Sequence, residues 1–290
     1  MTTLRQSSNT QLAYRDTGGG RPILLVHGWG VSGALFEAQW RELASSFRVV
    51  VPDLPGHGAS GAFPARASFA ELGDAVADLV AELRLGRVLL VGWSLGAMVA
   101  WDLVRRRRLA VAGLVTIDML PQLLSEPGWP HELRGATDRA ALVRDVPAMR
   151  ADWPAYAASF VPRIVAPATA AAHPDLLARI VAVAQASDAD SMANIWLRMA
   201  DQDFRAVPGA VDVPARVVAG AHSDLYSVAA SRWVAEQLPH GRLEVFERSG
   251  HAPQLEEADR FNSMLSAFAD ELDFTNSGSG GPEAAVSQSH

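Results

Sequence analysis

Lysine is absent from this chain, so all 25 basic residues are arginine, and cysteine is absent as well. Without lysine there is no Schiff-base or pyridoxal chemistry and no phosphate-loop lysine. Without cysteine there are no disulfides, thiolate nucleophiles or cysteine-ligated zinc or iron–sulfur centres. No apolar run approaches the roughly 20 residues of a membrane span. Residues 1–16 are polar, with no apolar stretch of signal-peptide length, so the expectation is a cytoplasmic protein with no membrane partner. An excess of positive charge is also missing. The net charge of −7 argues against nucleic acid, whose phosphates demand a cationic surface. What remains is a chain of 290 residues, 49% apolar, long enough for one large domain or a core with an insertion.

Short apolar runs alternate with helical spacing through the first third. Strands are expected at Pro22–Val26, 47–51, the apolar run that begins at Val88 and Val111–Ile117, with helices over 69–83 and 97–106. Strands apolar on both faces and separated by helices imply a mostly parallel sheet covered on both sides, an α/β fold. The rhythm breaks after Asp118. Residues 119–205 are rich in Ala, Pro and Trp, with helical segments expected at 138–143, 151–160, 174–186 and 191–199. Strands resume at Ala215–Gly220 and 242–246, and a closing helix is expected over 259–272. The reading is a core of 1–118 and 206–273, a helical lid inserted at 119–205, and a Gly/Ser-rich tail at 274–290 with nothing to bury, expected to be disordered.

Gly92-Trp93-Ser94-Leu95-Gly96 stands between an apolar strand and an apolar helix. A serine on a sharp strand-to-helix turn is lifted clear of the sheet, and glycines at 92 and 96 let backbone pass close by. Such a nucleophile needs a base, an orienting carboxylate and donors for the developing oxyanion. His251, in Ser249-Gly250-His251-Ala252-Pro253, follows the last strand and suits the base. Asp224 and Asp118 both follow strands and could orient it; Asp224 is the reading adopted, because it lies one strand before the histidine. His27-Gly28-Trp29-Gly30 follows the Pro22–Val26 strand, so the backbone amides of Trp29 and Leu95 are the expected oxyanion donors.

These motifs, with Pro52-Asp53-Leu54-Pro55-Gly56-His57-Gly58, resemble the α/β-hydrolase superfamily over about residues 10–272. The resemblance implies the α/β-hydrolase fold with a helical lid and the order Ser94, Asp224, His251 for nucleophile, acid and base. It makes Asp53 and His57 structural members of a loop held against the site. Within the superfamily, His-Gly-Trp-Gly, Gly-Trp-Ser-Leu-Gly and Gly-His-Ala-Pro are similar to the carboxylesterases that cleave pimeloyl-[acyl-carrier protein] methyl ester. Two features depart from them: Ala97 replaces a small glycine after the turn, and the lid is not cationic as a whole.

The implied activity is hydrolysis of a carboxylic ester or thioester, possibly carrier-bound, through an acyl-enzyme on Ser94, with no cofactor and no metal. The pocket is expected between sheet and lid, lined by Trp93, Trp153, Trp196 and Met199, and suited to a small-to-medium apolar acyl or aryl group. Two other readings stay open. The same acyl-enzyme could serve an acyltransferase, perhydrolase or carbon–carbon bond hydrolase, and the fold could carry a low-turnover ligand receptor.

Overall fold

The structure is a computed structural model that describes residues 4–8, 10–136 and 138–275. Eight strands, β1 (Arg5–Gln6), β2 (Ala13–Thr17), β3 (Pro22–Val26), β4 (Arg48–Pro52), β5 (Val88–Trp93), β6 (Val111–Ile117), β7 (Ala215–Gly220) and β8 (Gly241–Phe246), form one sheet. Their order is β1-β2-β4-β3-β5-β6-β7-β8. Pairing is antiparallel at β1–β2 and β2–β4 and parallel everywhere else. Every residue of β3 and β5 is buried, as the uninterrupted apolar runs require. Each Leu or Val so buried contributes about 1.5–3 kcal/mol. The chain runs outward from β3 to β4 and then returns to β5 on the other side of β3. The carboxyl ends of β3 and β5 therefore face connections that diverge, and a crevice opens there.

The helices of the core are α1 (Glu37–Leu43), α2 (Ala70–Glu82), α3 (Leu95–Arg105), α10 (Val228–Gln237), α11 (Pro253–Glu256) and α12 (Ala258–Asp270). Six more lie between β6 and β7: α4 (Arg139–Val143), α5 (Val146–Ala151), α6 (Trp153–Phe160), α7 (Pro167–Ala172), α8 (Pro174–Gln185) and α9 (Ala189–Ala200). Since β6 and β7 are neighbours in the sheet, these helices form an excursion that leaves and re-enters at adjacent points. The expected elements recur within two or three residues. The helix expected over 151–160 starts at Trp153 instead, because the Asp152 carboxylate accepts from the Ala155 amide and caps it there. The short strands β1 and β2 and the helices α1, α5, α7, α10 and α11 are additions to the expected set.

At the carboxyl end, Phe274 packs on the core beside the Arg21 guanidinium, and the Thr275 carbonyl accepts from Arg87. The rest of the expected tail, 276–290, lies outside the described residues. No helix among the described residues is long and apolar enough to cross a membrane.

Candidate active site

Ser94 occupies the single residue between β5 and α3, with φ 54° and ψ −117°. A side chain in that region stores about 1–3 kcal/mol of strain, sustained only where the surroundings overdetermine it. They do so here. The Ser94 amide donates to the Ile117 carbonyl of β6 at 3.0 Å, and its own carbonyl accepts from Ala97 at 2.8 Å. A Cβ on Gly92 would lie 2.3 Å from the Gly96 carbonyl oxygen, and one on Gly96 would lie 2.1 Å from that of Val26. The turn is thus clamped between its own helix and β3, which explains both glycines of the pentapeptide.

His251 sits in the loop after β8. Its Nδ1 lies 2.7 Å from Asp118 Oδ2, with both side chains buried. Asp118 directly follows β6 and is itself at positive φ, 44°. The same Oδ2 accepts from the Ser223 hydroxyl at 2.6 Å, and the Gly220 amide points at Oδ1 from 3.4 Å. The expectation for Asp224 is therefore corrected: it does not reach His251. Asp224 is half-exposed and its Oδ2 accepts from Arg163 Nε at 2.6 Å, with Arg134 3.7 Å from Oδ1. The reason is local. In the turn after β7 the chain directs Ser223 inward and its neighbour Asp224 toward the lid, so the inward carboxylate comes from β6.

Several contacts hold the histidine. Trp93 Nε1 donates to the His251 carbonyl at 2.8 Å, and the two rings pack 5.6 Å apart. Tyr226 packs on the imidazole at 5.7 Å, and burial, reinforced by the Asp118 charge, raises its phenol far above the usual range, so it stays protonated. Behind the loop, Glu257 accepts from the Arg248 amide and the Ser249 hydroxyl. Glu256 accepts from the Gly250 amide at 2.7 Å and from Ala166 of the lid at 2.8 Å. Burial raises the Glu256 carboxyl above its ordinary value despite these donors.

Facing Ser94 is the loop after β3. The His27 imidazole accepts from the Leu54 amide at Nε2 and donates from Nδ1 to the Gly28 carbonyl. His57 accepts from the Gly30 amide at Nε2, and Asp53 accepts from the Gly33 and Ala59 amides. Burial lowers both imidazoles, His57 strongly, so each stays neutral and serves as a fixed hydrogen-bonding strut. These struts hold Gly28 and Trp29 on the wall of the cavity that Ser94 and His251 share. Leu95 opens α3, so its amide has no partner within the helix and lies at the positive end of the helix dipole.

That cavity measures about 880 Å³, its open mouth included, and Trp29, Trp93, Trp196 and Met199 line it. Trp153 does not. It is buried behind Trp29, 5.2 Å away edge to face, with Nε1 donating to the Ala184 carbonyl. Trp129, a further lid aromatic, packs against Trp233 instead. The lid adds wall residues without a sequence motif, among them Leu142, Tyr156, Phe160 and Ile164. Arg134, Arg144, Arg163 and Asp145 line the same cavity. Among the described residues, no group of three or more His, Asp or Glu is arranged to hold a metal ion.

A strained serine at a strand-to-helix turn, a buried histidine–aspartate couple and a helical lid between β6 and β7 define the class. A model of the alpha/beta hydrolase family matches residues 23–264, and the chain belongs to that family. Within it, the chain is an ester-cleaving enzyme. It is similar to the pimeloyl-[acyl-carrier protein] methyl ester esterase of Chromobacterium violaceum, 30% identical over 88% of this chain and 96% of that one. The protein of the same name from Aromatoleum aromaticum is 34% identical, covering 80% and 92% respectively. Among solved structures, a thermophilic esterase from Thermogutta terrifontis superposes with a TM-score of 0.81 at 27% identity, covering 92% of this chain and 97% of that one.

Proposed function

We propose that the protein is a serine esterase in which Ser94, His251 and Asp118 form the catalytic triad. The observation that carries this reading is the buried Asp118–His251 pair opening on the same cavity as the strained Ser94. Asp118 accepts from Nδ1, so the lone pair of the neutral imidazole is at Nε2, the atom that takes a proton from serine. Ser94 Oγ adds to the ester carbonyl as its proton passes to His251. The amides of Leu95 and Trp29 hold the oxyanion, each worth about 2.7–4 kcal/mol in the barrier. His251 returns the proton to the departing alcohol, leaving an acyl-enzyme. Water then gives its proton to His251 and adds to the acyl carbon, and the carboxylic acid leaves as Ser94 recovers its proton.

The substrate class follows from the cavity. Trp29, Trp93, Trp196 and Met199 suit an apolar acyl chain, while Arg134, Arg144 and Arg163 stand among its lining residues. The acidic balance of the chain offers no general attraction for an anion, and Arg134 and Arg163 pair with Asp224 while Arg144 pairs with Asp145, so the three cations and two carboxylates leave an excess of one positive charge at this place. That excess supports an ester whose far end is anionic, including a carrier-bound methyl ester of the kind named for the relatives from Chromobacterium and Aromatoleum.

The test is intact mass after brief exposure to a fluorophosphonate, beside hydrolysis of methyl esters and of a 4-nitrophenyl acyl series. One adduct on the wild type, none on Ser94→Ala, and a rate optimum at one chain length are expected. Turnover surviving in Ser94→Ala would reject the nucleophile. The substitution should cut kcat by at least about 10⁴-fold, the scale of losing a triad member.

A further inference from the structure

We infer that Ser223 is a positioning residue that sets how strongly Asp118 holds His251. The inference rests on the triad reading above. Its ground is that one oxygen, Asp118 Oδ2, receives both His251 Nδ1 at 2.7 Å and the Ser223 hydroxyl at 2.6 Å. All three residues are buried.

A buried carboxylate oxygen sharing its charge between two donors gives less to each than it would to one. The Ser223 proton therefore competes with the imidazole for the same negative charge. Removing it leaves Oδ2 entirely to His251, and the imidazolium is held more firmly. The hydroxyl cannot turn away cheaply, because its oxygen accepts from the Leu225 and Tyr226 amides, both at 3.3 Å. With those lone pairs engaged, the proton is directed at Asp118. The same two bonds shape the turn that lays Tyr226 against the imidazole.

Other charged and titratable groups surround the couple. Tyr226 faces the ring. Arg134, Arg144, Arg163 and Asp145 stand on the cavity wall with Asp224 beside Arg163, and Glu256 and Glu257 hold the back of the loop. None of these changes identity in a substitution at 223, and Ser223 does not line the cavity, so the effect should fall on kcat and its pH dependence, not on KM.

The experiment is the pH profile of kcat and kcat/KM on a 4-nitrophenyl ester for four proteins: wild type, Ser223→Ala, Ser223→Thr and Asp118→Ala. In Ser223→Ala the acidic limb of kcat/KM should move up by about half a pH unit, consistent with loss of part of a charge-assisted hydrogen bond. Ser223→Thr, which keeps the hydroxyl, should return the limb to its wild-type position. Asp118→Ala should lose at least about 10³-fold in kcat. An unmoved limb in Ser223→Ala overturns the positioning role. If Asp118→Ala keeps its rate, the triad reading falls, whereas a dead Asp118→Ala with inert 223 variants removes this inference alone.

Discussion

The carboxyl edge of the sheet and the helical lid face one cavity but are built on opposite terms. At the sheet edge, position is enforced by backbone. Ser94 is gripped by β6 and its own helix, and Gly96 leaves no room for a Cβ beside the carbonyl of Val26. His27, His57 and Asp53 are buried side chains spent on main-chain amides. In the lid, position is set by side chains on each other. Trp153 braces Trp29, Trp196 Nε1 donates to the Leu142 carbonyl, and Arg163 pairs with half-exposed Asp224. Exposed pairs of that kind contribute about 0–1 kcal/mol. The lesson is a division of labour: Ser94 stands where φ and ψ are fixed by the main chain around it, and the lid wall of the cavity stands where rotamers can change.

The comparison can be broken most sharply with two aspartates. Asp118→Asn, at the rigid edge, should lower kcat by about 10²–10⁴-fold, since the amide imposes the wrong tautomer on His251. Asp224→Asn, on the lid side, should stay within about threefold, because it alters an exposed ion pair. Equal losses would move the acid back to the loop after β7.

Gly96→Ala tests the backbone claim directly. Its Cβ has only 2.1 Å to the Val26 carbonyl oxygen, and neither β3 nor α3 can retreat. A loss of about 3 kcal/mol or more, read as a lower Tm in thermal denaturation, is expected from overpacking against fixed main chain. Trp196→Ala should act chiefly on selectivity. Tm should fall, but by less than in Gly96→Ala, through loss of the Leu142 hydrogen bond and the contact with Trp29, while the preferred chain length of the 4-nitrophenyl series shifts and kcat/KM on the best substrate changes by about three- to tenfold. A broad loss across all chain lengths would show that Trp196 supports the catalytic groups.

A smaller effect separates the two regions by pH. Burial holds His27 and His57 below the ordinary 6.5 in the folded state. On acidification through 6.5 the unfolded chain takes up protons that the folded one refuses, so stability is full above that value and falls below it. The window of the effect runs from about pH 6.5 down to about 5.5. Tm should therefore decline in that window, and His57→Asn should flatten the slope. A flat wild-type profile would show that the struts titrate normally.

Much of this was legible in the residues. The apolar runs gave β3, β5, β6 and β7 because strands buried on both faces need no polar alternation, and Gly-x-Ser-x-Gly located the turn because only glycine tolerates those approaches. The carboxylate was not legible. Asp118 and Asp224 each follow a strand, and nothing local says which faces inward; the choice depends on the turn after β7, where Ser223 takes the inner position. The cavity wall was half legible. Tryptophans marked the lid as a source of apolar surface, but whether Trp153 or Tyr156 reaches the cavity depends on how α6 rolls against α8. That rotation is set by packing among alanine-rich helices with little to tell one face from another.

Glu256 joins regions that the comparison keeps apart, with one oxygen on the amide before His251 and the other on Ala166 of the lid. In mechanical terms this is a hinge pin shared by a door and the machinery behind it. Both regions are thus tied to one carboxylate, so a displacement of the lid at Ala166 is expected to reach the loop that carries His251.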